Sequence, residues 1–191
     1  MATIGNVYPY SSVYPGKFNV VPTASTIVVD EPAWDTDSDW GAANRRQVIK
    51  ASDVLVNASS ITIDFTAAAA TAGLDIALAY IGEAAATGDA YDFASTPTQI
   101  LFSGAASASL SIGETLTSDT VAYSVDSSKD LIISIGITNA SAAKARAESP
   151  STGNDMYYKA GASSDAGTVD VTGYTAINNF REFVGEILKI S

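Results

Sequence analysis

The chain has 191 residues, with 10 Lys plus Arg against 21 Asp plus Glu, so its formal net charge is −11. It contains neither His nor Cys. A Ser-His-Asp or Cys-His nucleophile, a Cys/His zinc site and a disulfide are therefore all excluded within this chain. Charged residues make up only 16% of the chain, against roughly 25% in an average soluble domain. Small residues take their place, which suits tightly paired strands and surfaces hidden against neighbours. A high-salt source explains the acidic composition equally well.

Motifs for common ligands are missing from the sequence. It has no phosphate loop of the GxxxxGK kind and no dinucleotide fingerprint, so we expect no cofactor. Lys and Arg are scattered, with only Arg45 and Arg46 adjacent, and an acidic chain repels phosphate, so we expect no nucleic-acid partner. Neither a secretory signal nor an apolar run of bilayer length is visible, so we expect no membrane partner and synthesis in a cytoplasm.

Residues 1–45 differ from the rest, and we interpret them as an extended N-terminal arm. Tyr8-Pro9-Tyr10 and Tyr14-Pro15-Gly16 repeat a Tyr-Pro unit. Proline fixes φ and pushes the preceding residue toward extended geometry, so the segment should not be helical. Short β-rich runs lie between the prolines at residues 18–21 and 26–29. The arm can lie along its own domain, a sister subunit or another protein, and the sequence leaves these three alternatives open.

Residues 46–191 alternate apolar and polar side chains in short runs, which is the pattern of half-buried β-strands. Clusters of Gly, Asp, Asn and Ser separate these runs, as turns require. No long amphipathic helix is visible, so the pattern predicts an all-β sandwich or barrel. The predicted strands cover residues 60–65, 74–80, 99–102, 108–112, 121–125, 131–137 and 183–190.

Two regions interrupt the strand pattern. Residues 82–97 are interpreted as a loop. Residues 139–167 are rich in Ala and Ser and show little strand signal apart from Met156-Tyr157-Tyr158, while residues 142–148 predict a helical turn. Loops of this length in a compact domain are commonly functional or mobile. A solvated excursion over a sheet edge is an equally good interpretation.

Several motifs occur in an order that is characteristic of a known module. The sequence IGEAAATGDAYDF at residues 81–93 is followed by ILFSG at 100–104, a Ser118-Asp119 turn and DLIIS at 130–134. This order resembles a jelly-roll-like β-sandwich module of bacteriophage and prophage structural proteins. A similar non-catalytic module lies beside the catalytic domain of some GDSL/SGNH-type esterases. The resemblance covers residues 46–191 and implies an antiparallel, jelly-roll-like sandwich without an active site.

The resemblance implies a structural virion protein, such as a capsid decoration protein, a head fibre or a tail component. Its partners would be capsid or tail proteins of the same particle and further copies of itself, with a trimer as the expected oligomer. Assembly would take place in the host cytoplasm. The alternative is a carbohydrate-binding module that contacts a host-surface glycan, and an esterase or glycosidase is a third, less favoured hypothesis.

The candidate interaction residues are all aromatic. Aromatic side chains with polar neighbours stack on sugar rings and also anchor protein interfaces. We favour anchoring of the arm over glycan binding. Exposure of Trp34, Trp40 or Tyr157 in a groove would favour sugar binding, and burial at a subunit contact would favour assembly. The full set is Tyr8, Tyr10, Tyr14, Trp34, Trp40, Tyr157 and Tyr158.

Carboxylates are densest at Asp30-Glu31 and in residues 35–39. Alternating carboxylates and hydroxyls can hold Ca²⁺, but the EF-hand pattern fails, since Trp40 replaces its Gly and Arg46 its final Glu. We interpret the cluster as a solvated acidic turn and expect no metal; contact with a basic neighbour is the alternative.

The loop carboxylates Asp89, Asp92 and Asp119 are interpreted as turn formers. Nothing in the sequence places two of them at either of the separations that glycoside hydrolysis requires. We therefore predict no catalytic residue.

Overall fold

The computed structural model describes residues 25–39, 41–70, 72–138, 144–149 and 154–190. Within these ranges the fold is all-β, with fourteen strands and two short 3₁₀ helices. Neither of these helices is long and apolar enough to cross a membrane. The prediction of an all-β, antiparallel sandwich is confirmed.

The strands are, in chain order, β1 (Thr26–Val29), β2 (Thr36–Asp39), β3 (Ala43–Ile49), β4 (Ile61–Thr66), β5 (Leu74–Glu83), β6 (Thr98–Ile100), β7 (Ala108–Leu110), β8 (Thr115–Thr117), β9 (Leu131–Ile137), β10 (Lys144–Glu148), β11 (Asp155–Ala160), β12 (Thr175–Asn178), β13 (Arg181–Glu182) and β14 (Val184–Lys189). The 3₁₀ helices are η1 (Ala51–Asp53) and η2 (Ser163–Gly167).

The strands form three antiparallel sheets. The largest has seven strands in the order β12-β11-β3-β9-β5-β6, with β7 also pairing to β5. A four-stranded sheet has the order β1-β14-β4-β8, and a three-stranded sheet the order β13-β10-β2. The main hydrophobic core contains residues of both larger sheets, so these two sheets are the layers of the sandwich. In β9 the inward side chains are Leu131, Ile133, Ile135 and Ile137, and β4 contributes Ile61, Ile63 and Phe65.

A second, smaller core covers the outer face of the seven-stranded sheet. It is built on Val48 of β3 and Ile132 of β9, which face each other in register, together with Phe93 from the loop after β5. Side chains alternate between the faces of a strand, so Arg46 and Asn44 lie on this same outer face as Val48. The loop that follows β5 and helix η2 therefore cover one side of the sheet, and they position the candidate site.

Two local predictions are wrong. Residues 121–125 form no strand, because Val121 and Val125 make only isolated bridges, to Ile61 and Ala58. A helical turn was predicted at residues 142–148, of which 142 and 143 lie outside the described residues. Residues 144–148 form strand β10 instead, which pairs with both β2 and β13. Ala-rich sequence favours helix locally, but pairing with distant strands overrides a weak local propensity.

The described part of the predicted arm supplies strands to all three sheets. β1 belongs to the four-stranded sheet, β2 to the three-stranded sheet and β3 to the seven-stranded sheet, so the division predicted at residue 45 falls inside β3. Residues 36–39 form strand β2, and the prediction of an acidic turn there is wrong. Residues 1–24, which include Tyr8, Tyr10, Tyr14 and the run at 18–21, lie outside the described residues, as does Trp40.

Candidate functional site

The candidate site is built on a buried arginine of strand β3. Arg46 is fully buried on the outer face of the seven-stranded sheet. Its guanidinium donates hydrogen bonds to three backbone carbonyls: to Tyr91 from Nη1 at 2.6 Å, to Asp165 from Nη2 at 3.2 Å, and to Thr168. Burial lowers the pKa of Arg46, but an arginine remains charged at neutral pH. One cation thus ties the loop after β5 and the segment around η2 to the sheet.

Three tyrosines lie above this arginine, and we call Tyr91, Tyr157 and Tyr174 the tyrosine surface. The ring centroid of Tyr91 lies 5.0 Å from that of Tyr157 and 4.9 Å from that of Tyr174. All three side chains are partly exposed. Close ring pairs of this kind contribute roughly 0.5–1.5 kcal/mol beyond the area they bury. The tyrosine surface is therefore a row of rings from three separate segments of the chain.

Arg46 also supports the tyrosine surface through its cation. Its Cζ atom lies 4.6 Å from the ring centroid of Phe93 and 5.5 Å from that of Tyr174. Lys159 approaches the same ring, with its Nζ atom 5.9 Å from the centroid of Tyr174. A cation over a ring face is attracted by the ring's negative face. Tyr174 is thereby held by two cations as well as by its ring neighbour.

The hydroxyl groups of the tyrosine surface stay protonated at neutral pH. Tyr91 donates to Asp89 Oδ2 at 2.7 Å, and this hydrogen bond raises the pKa of Tyr91 to about 12. Tyr174 donates to Asn44, and burial raises the pKa of Tyr174 to about 12. Burial also raises the pKa of Tyr157. The surface consequently carries neutral phenols with apolar rings.

The rim of the tyrosine surface is polar and mainly acidic. The exposed carboxylate of Asp89 lies at one side, and Lys159 forms an ion pair with Asp165 at 3.3 Å on another. Buried Asp92 accepts a hydrogen bond from the backbone N–H of Val171 at 3.1 Å, which fixes the segment before Tyr174. An apolar aromatic centre with a charged rim is the general anatomy of a recognition surface.

The predicted pair Tyr157 and Tyr158 is split between two faces. Tyr157 lies opposite Arg46 in the β3–β11 register, on the outer face, whereas Tyr158 lies opposite Arg45. Neighbouring side chains of a strand point to opposite faces. Only Tyr157 therefore belongs to the tyrosine surface.

Trp34 lies just before strand β2 and is partly buried. Its indole Nε1 donates to Glu31 at 3.0 Å, and its carbonyl oxygen accepts a hydrogen bond from Arg146 at 3.1 Å. These contacts anchor Trp34 within its own chain, beside the three-stranded sheet.

Sequence reasoning missed Arg46, Tyr91 and Tyr174 as site residues. Tyr91 lies in the DAYDF motif, which was interpreted only as a loop of turn formers. Tyr174 has no local pattern around it, and Arg46 is a charged residue in a run that we did not predict as a strand. The usable signal was the interruption of the strand pattern at residues 82–97, since this loop supplies Tyr91 to the surface.

The acidic residues near β2 serve local structure. Asp35 Oδ1 accepts a hydrogen bond from the backbone N–H of Ser149 at 3.1 Å, and Asp37 forms an ion pair with Arg146 at 3.0 Å. Among the described residues, no three or more carboxylates are grouped so that they could hold a metal ion. Asp119 accepts the N–H groups of Ser103 and Gly104 at 2.8 and 2.6 Å. It therefore stabilises the turn at Ser103 and Gly104, whereas the turn predicted at Asp119 itself does not form.

Two open grooves lie elsewhere on the molecule. One, of about 510 Å³, is lined by residues that include Asn57, Asp126 and Lys189, and a smaller one of about 280 Å³ shares Glu83 with it. Asp126 Oδ1 accepts from the backbone N–H and the hydroxyl of Ser128, at 2.9 and 2.7 Å, which lowers the pKa of Asp126. This carboxylate stabilises its own turn.

A scan against models of protein families finds no match to this chain, and a search of curated proteins finds no relative. The resemblance to phage structural modules therefore rests on motif order. One of its motifs, DAYDF, supplies Tyr91, Asp92 and Phe93, which build and support the tyrosine surface.

Proposed function

We propose that the protein is a non-catalytic structural component of a phage or phage-like particle, acting as a capsid decoration protein, head fibre or tail component. It works by self-association and by docking through its N-terminal segment. The main support for this proposal is that the N-terminal segment is connected to a strand at the edge of a sheet. Residues 1–24 lead into β1, which is an edge strand of the four-stranded sheet. A segment that leaves a sheet edge is well placed to reach a neighbouring subunit.

Charge distribution supports docking of this segment. Lys17 is the only charged side chain in residues 1–24, whereas all 21 Asp and Glu lie in residues 25–191. That larger part carries 9 Lys plus Arg, so its formal charge is 9 − 21 = −12, against +1 for the N-terminal segment. Opposite charge raises the rate of encounter between a segment and an acidic surface, most strongly at low salt.

Apolar residues at the point of entry support the same proposal. Ile27 of β1 is 38% exposed and Leu55 is 54% exposed. The backbone N–H of Leu55 donates to the carbonyl of Val28 at 2.8 Å, so both side chains lie by the same edge strand. Covering such residues with a neighbouring chain gains about 25 cal/mol per Å² of apolar area removed from water. The partners we propose are capsid or tail proteins of the particle and further copies of this chain.

The alternative function is carbohydrate binding, and the tyrosine surface favours it. Partly exposed Tyr157 lies beside Tyr91, and the carboxylate of Asp89 offers an acceptor for sugar hydroxyls. A glycan array probed with the full-length protein tests this alternative. Specific binding that is lost in Tyr157→Ser, together with absence of the protein from particles, would replace the structural proposal with this one.

Deletion of residues 1–24 tests the structural proposal. The deletion must end there, because a cut at residue 44 would remove β1, β2 and the start of β3. We expect the shortened protein to unfold cooperatively like the full chain but to be lost from assembled particles. A chain with the same 24 residues in shuffled order is the matched control for length and charge, and it should also fail to incorporate. Normal incorporation of the shortened protein would contradict docking through this segment.

A further inference from the structure

The tyrosine surface and strand β1 lie on opposite layers of the sandwich. Tyr157 is on the outer face of the seven-stranded sheet, in register with Arg46. β1 belongs to the four-stranded sheet, which packs against the inner face of the seven-stranded sheet. A chain that reaches its own tyrosine surface must therefore pass around the edge of the sandwich. The N-terminal segment can reach the tyrosine surface of a second copy without passing around the edge of its own sandwich.

We propose that the tyrosine surface is the docking site for a Tyr-Pro unit, Tyr8-Pro9-Tyr10 or Tyr14-Pro15-Gly16, from a second copy of this chain. The inference rests on the proposed self-association and names the contact surface through which it occurs.

The chemistry of the two partners is complementary. Proline-containing segments recognise aromatic surfaces because the prolyl ring packs on aromatic rings and the extended backbone leaves its carbonyls free to accept hydrogen bonds. The tyrosine surface supplies three rings for this packing. The hydroxyls of Tyr91 and Tyr174 already donate to Asp89 and Asn44, so the contact we propose at these two residues is one of rings rather than of phenol donors. Fixed φ angles also reduce the conformational entropy that the segment loses when it docks.

The dimensions of the two partners match. Tyr91 lies 5.0 Å from one neighbouring ring and 4.9 Å from the other, so the row of rings is at most ~10 Å long. A polyproline II segment rises about 3.1 Å per residue, so about three residues cover that length. One Tyr-Pro unit therefore fills one tyrosine surface. The second unit of the same segment remains available for another neighbour.

The electrostatic arrangement favours this occupant. Asp89 presents an exposed carboxylate at the rim, and Lys159 is already paired with Asp165 at 3.3 Å. Arg46 is fully buried and its charge is directed at backbone carbonyls. Both cations described at this surface therefore already have partners, and Lys17 is the only charged side chain that the segment brings to it. The buried arginine holds the rings in place without repelling the incoming chain.

Crosslinking of the full-length protein tests the proposal. A photoreactive benzoylphenylalanine is placed at position 10, and a second sample at position 14, in protein of natural isotope content. Each is mixed with unmodified ¹⁵N-labelled protein, irradiated and digested, and the crosslinked peptides are identified by mass spectrometry. We expect crosslinks between light and heavy chains at residues 89–93, 155–160 or 172–176. Crosslinks within one chain only, crosslinks elsewhere, or none would overturn the proposal.

Variants supply an independent readout of association. Sedimentation of the full-length protein should give a dissociation constant that rises at least tenfold in Tyr91→Ser, in Tyr174→Ser and in the double variant Pro9→Ala/Pro15→Ala. Tyr158→Ser is the control, because residue 158 lies on the opposite face of β11 from the tyrosine surface. Pro9 and Pro15 lie outside the described residues, so the thermal unfolding of the Pro variants is measured as well, and their association is compared with that of the wild type at equal stability. Unchanged association in the Pro variants would also overturn the proposal.

The outcomes separate this inference from the proposed function. If deletion of residues 1–24 abolishes incorporation into particles while crosslinks map elsewhere, the docking site is wrong and the structural role stands. If Tyr91→Ser abolishes binding to a saccharide but leaves association intact, the surface is a glycan site and the proposal is overturned.

Discussion

Arg46 on β3 lies directly opposite Tyr157 on β11, on the outer face of the seven-stranded sheet. The arginine is fully buried, while the tyrosine beside it is partly exposed. Hydrogen bonds from the guanidinium to the carbonyls of Tyr91 and Asp165 bring two further segments to the same place. A recognition surface assembled from three segments needs such a fixed centre, since loosely held rings would lose conformational entropy on binding.

Replacing this arginine should destabilise the fold and loosen the surface. In Arg46→Met, the carbonyls of Tyr91, Asp165 and Thr168 lose a charged donor. We expect the free energy of unfolding to fall by about 2–4 kcal/mol, since buried groups left without partners are costly. Amide hydrogen exchange should increase in residues 86–93 and 168–174.

The control for that variant is Lys50→Met. Lys50 pairs with Asp130 at 3.1 Å, and both side chains are 34% exposed, so its loss should cost only about 0–1 kcal/mol. Equal effects of the two variants in urea denaturation would contradict the central role of Arg46.

A buried ion pair makes stability depend on pH. Glu182 is fully buried beside Arg45. Burial raises the pKa of Glu182 from 4.5 to about 7, although Arg45 opposes the rise. Because the folded-state pKa lies above the unfolded one, the stabilisation is complete below about pH 4.5 and is lost as the pH rises toward 7.

The unfolding free energy of the wild type should therefore fall, relative to that of Glu182→Gln, between pH 4.5 and 7. The expected size is roughly 1.4 kcal/mol for each unit of pKa shift. The two proteins share every other carboxylate, so the difference between their unfolding free energies reports the titration of Glu182. Parallel stability profiles across this range would show that Glu182 keeps its ordinary pKa.

Helix η2 packs so closely on the sheet that a methyl group should displace it. A Cβ atom at Gly136 would lie 2.1 Å from the carbonyl oxygen of Ser163. Gly136→Ala should cost about 1–3 kcal/mol and disturb Asp165, which contacts Arg46. Gly185→Ala is the milder comparison, with its closest contact at 3.2 Å to Asp64 Cβ. Thermal unfolding of both variants checks the prediction, and a Gly136→Ala protein as stable as the wild type would refute the close packing.

The hydrogen bond between Tyr91 and Asp89 can be tested by titration. This bond is the main cause that raises the pKa of Tyr91 to about 12. In Asp89→Asn the pKa of Tyr91 should fall toward its ordinary value of 10.0, because the charged acceptor is gone. NMR of ¹³Cζ-labelled tyrosine follows this change. Asp119→Asn is the control, since Asp119 accepts a hydrogen bond from the backbone of Ser103. An unchanged pKa in Asp89→Asn would place the hydroxyl away from residue 89.

Strands with regular apolar alternation were predictable from the sequence. β9 was predicted at its observed bounds, 131–137, because an apolar side chain recurs at every second position and these side chains share the inner face of the sheet. β3 was missed because Asn44-Arg45-Arg46-Gln47 has the polarity of an exposed segment. Those side chains are buried because their partners, such as Glu182 for Arg45, come from distant parts of the chain.

The tyrosine surface was only partly predictable for the same reason. Tyr157 was singled out from its local sequence. Tyr91 and Tyr174 join it through the fold. Tyr91 belongs to the loop after β5, which is far from β11 in the chain, and Tyr174 comes immediately before β12, which pairs with β11. The residues around each tyrosine do not indicate which other rings it will contact in the folded chain. A long loop does indicate a segment that is more often functional than the strands it connects.

The most direct test of the proposed role is the copy number of this chain in purified particles from its source. Quantitative mass spectrometry referenced to the major capsid protein gives that number. We expect a fixed, stoichiometric presence, with tens to hundreds of copies for capsid decoration and a handful for a tail or fibre component. Absence from purified particles would contradict the structural role.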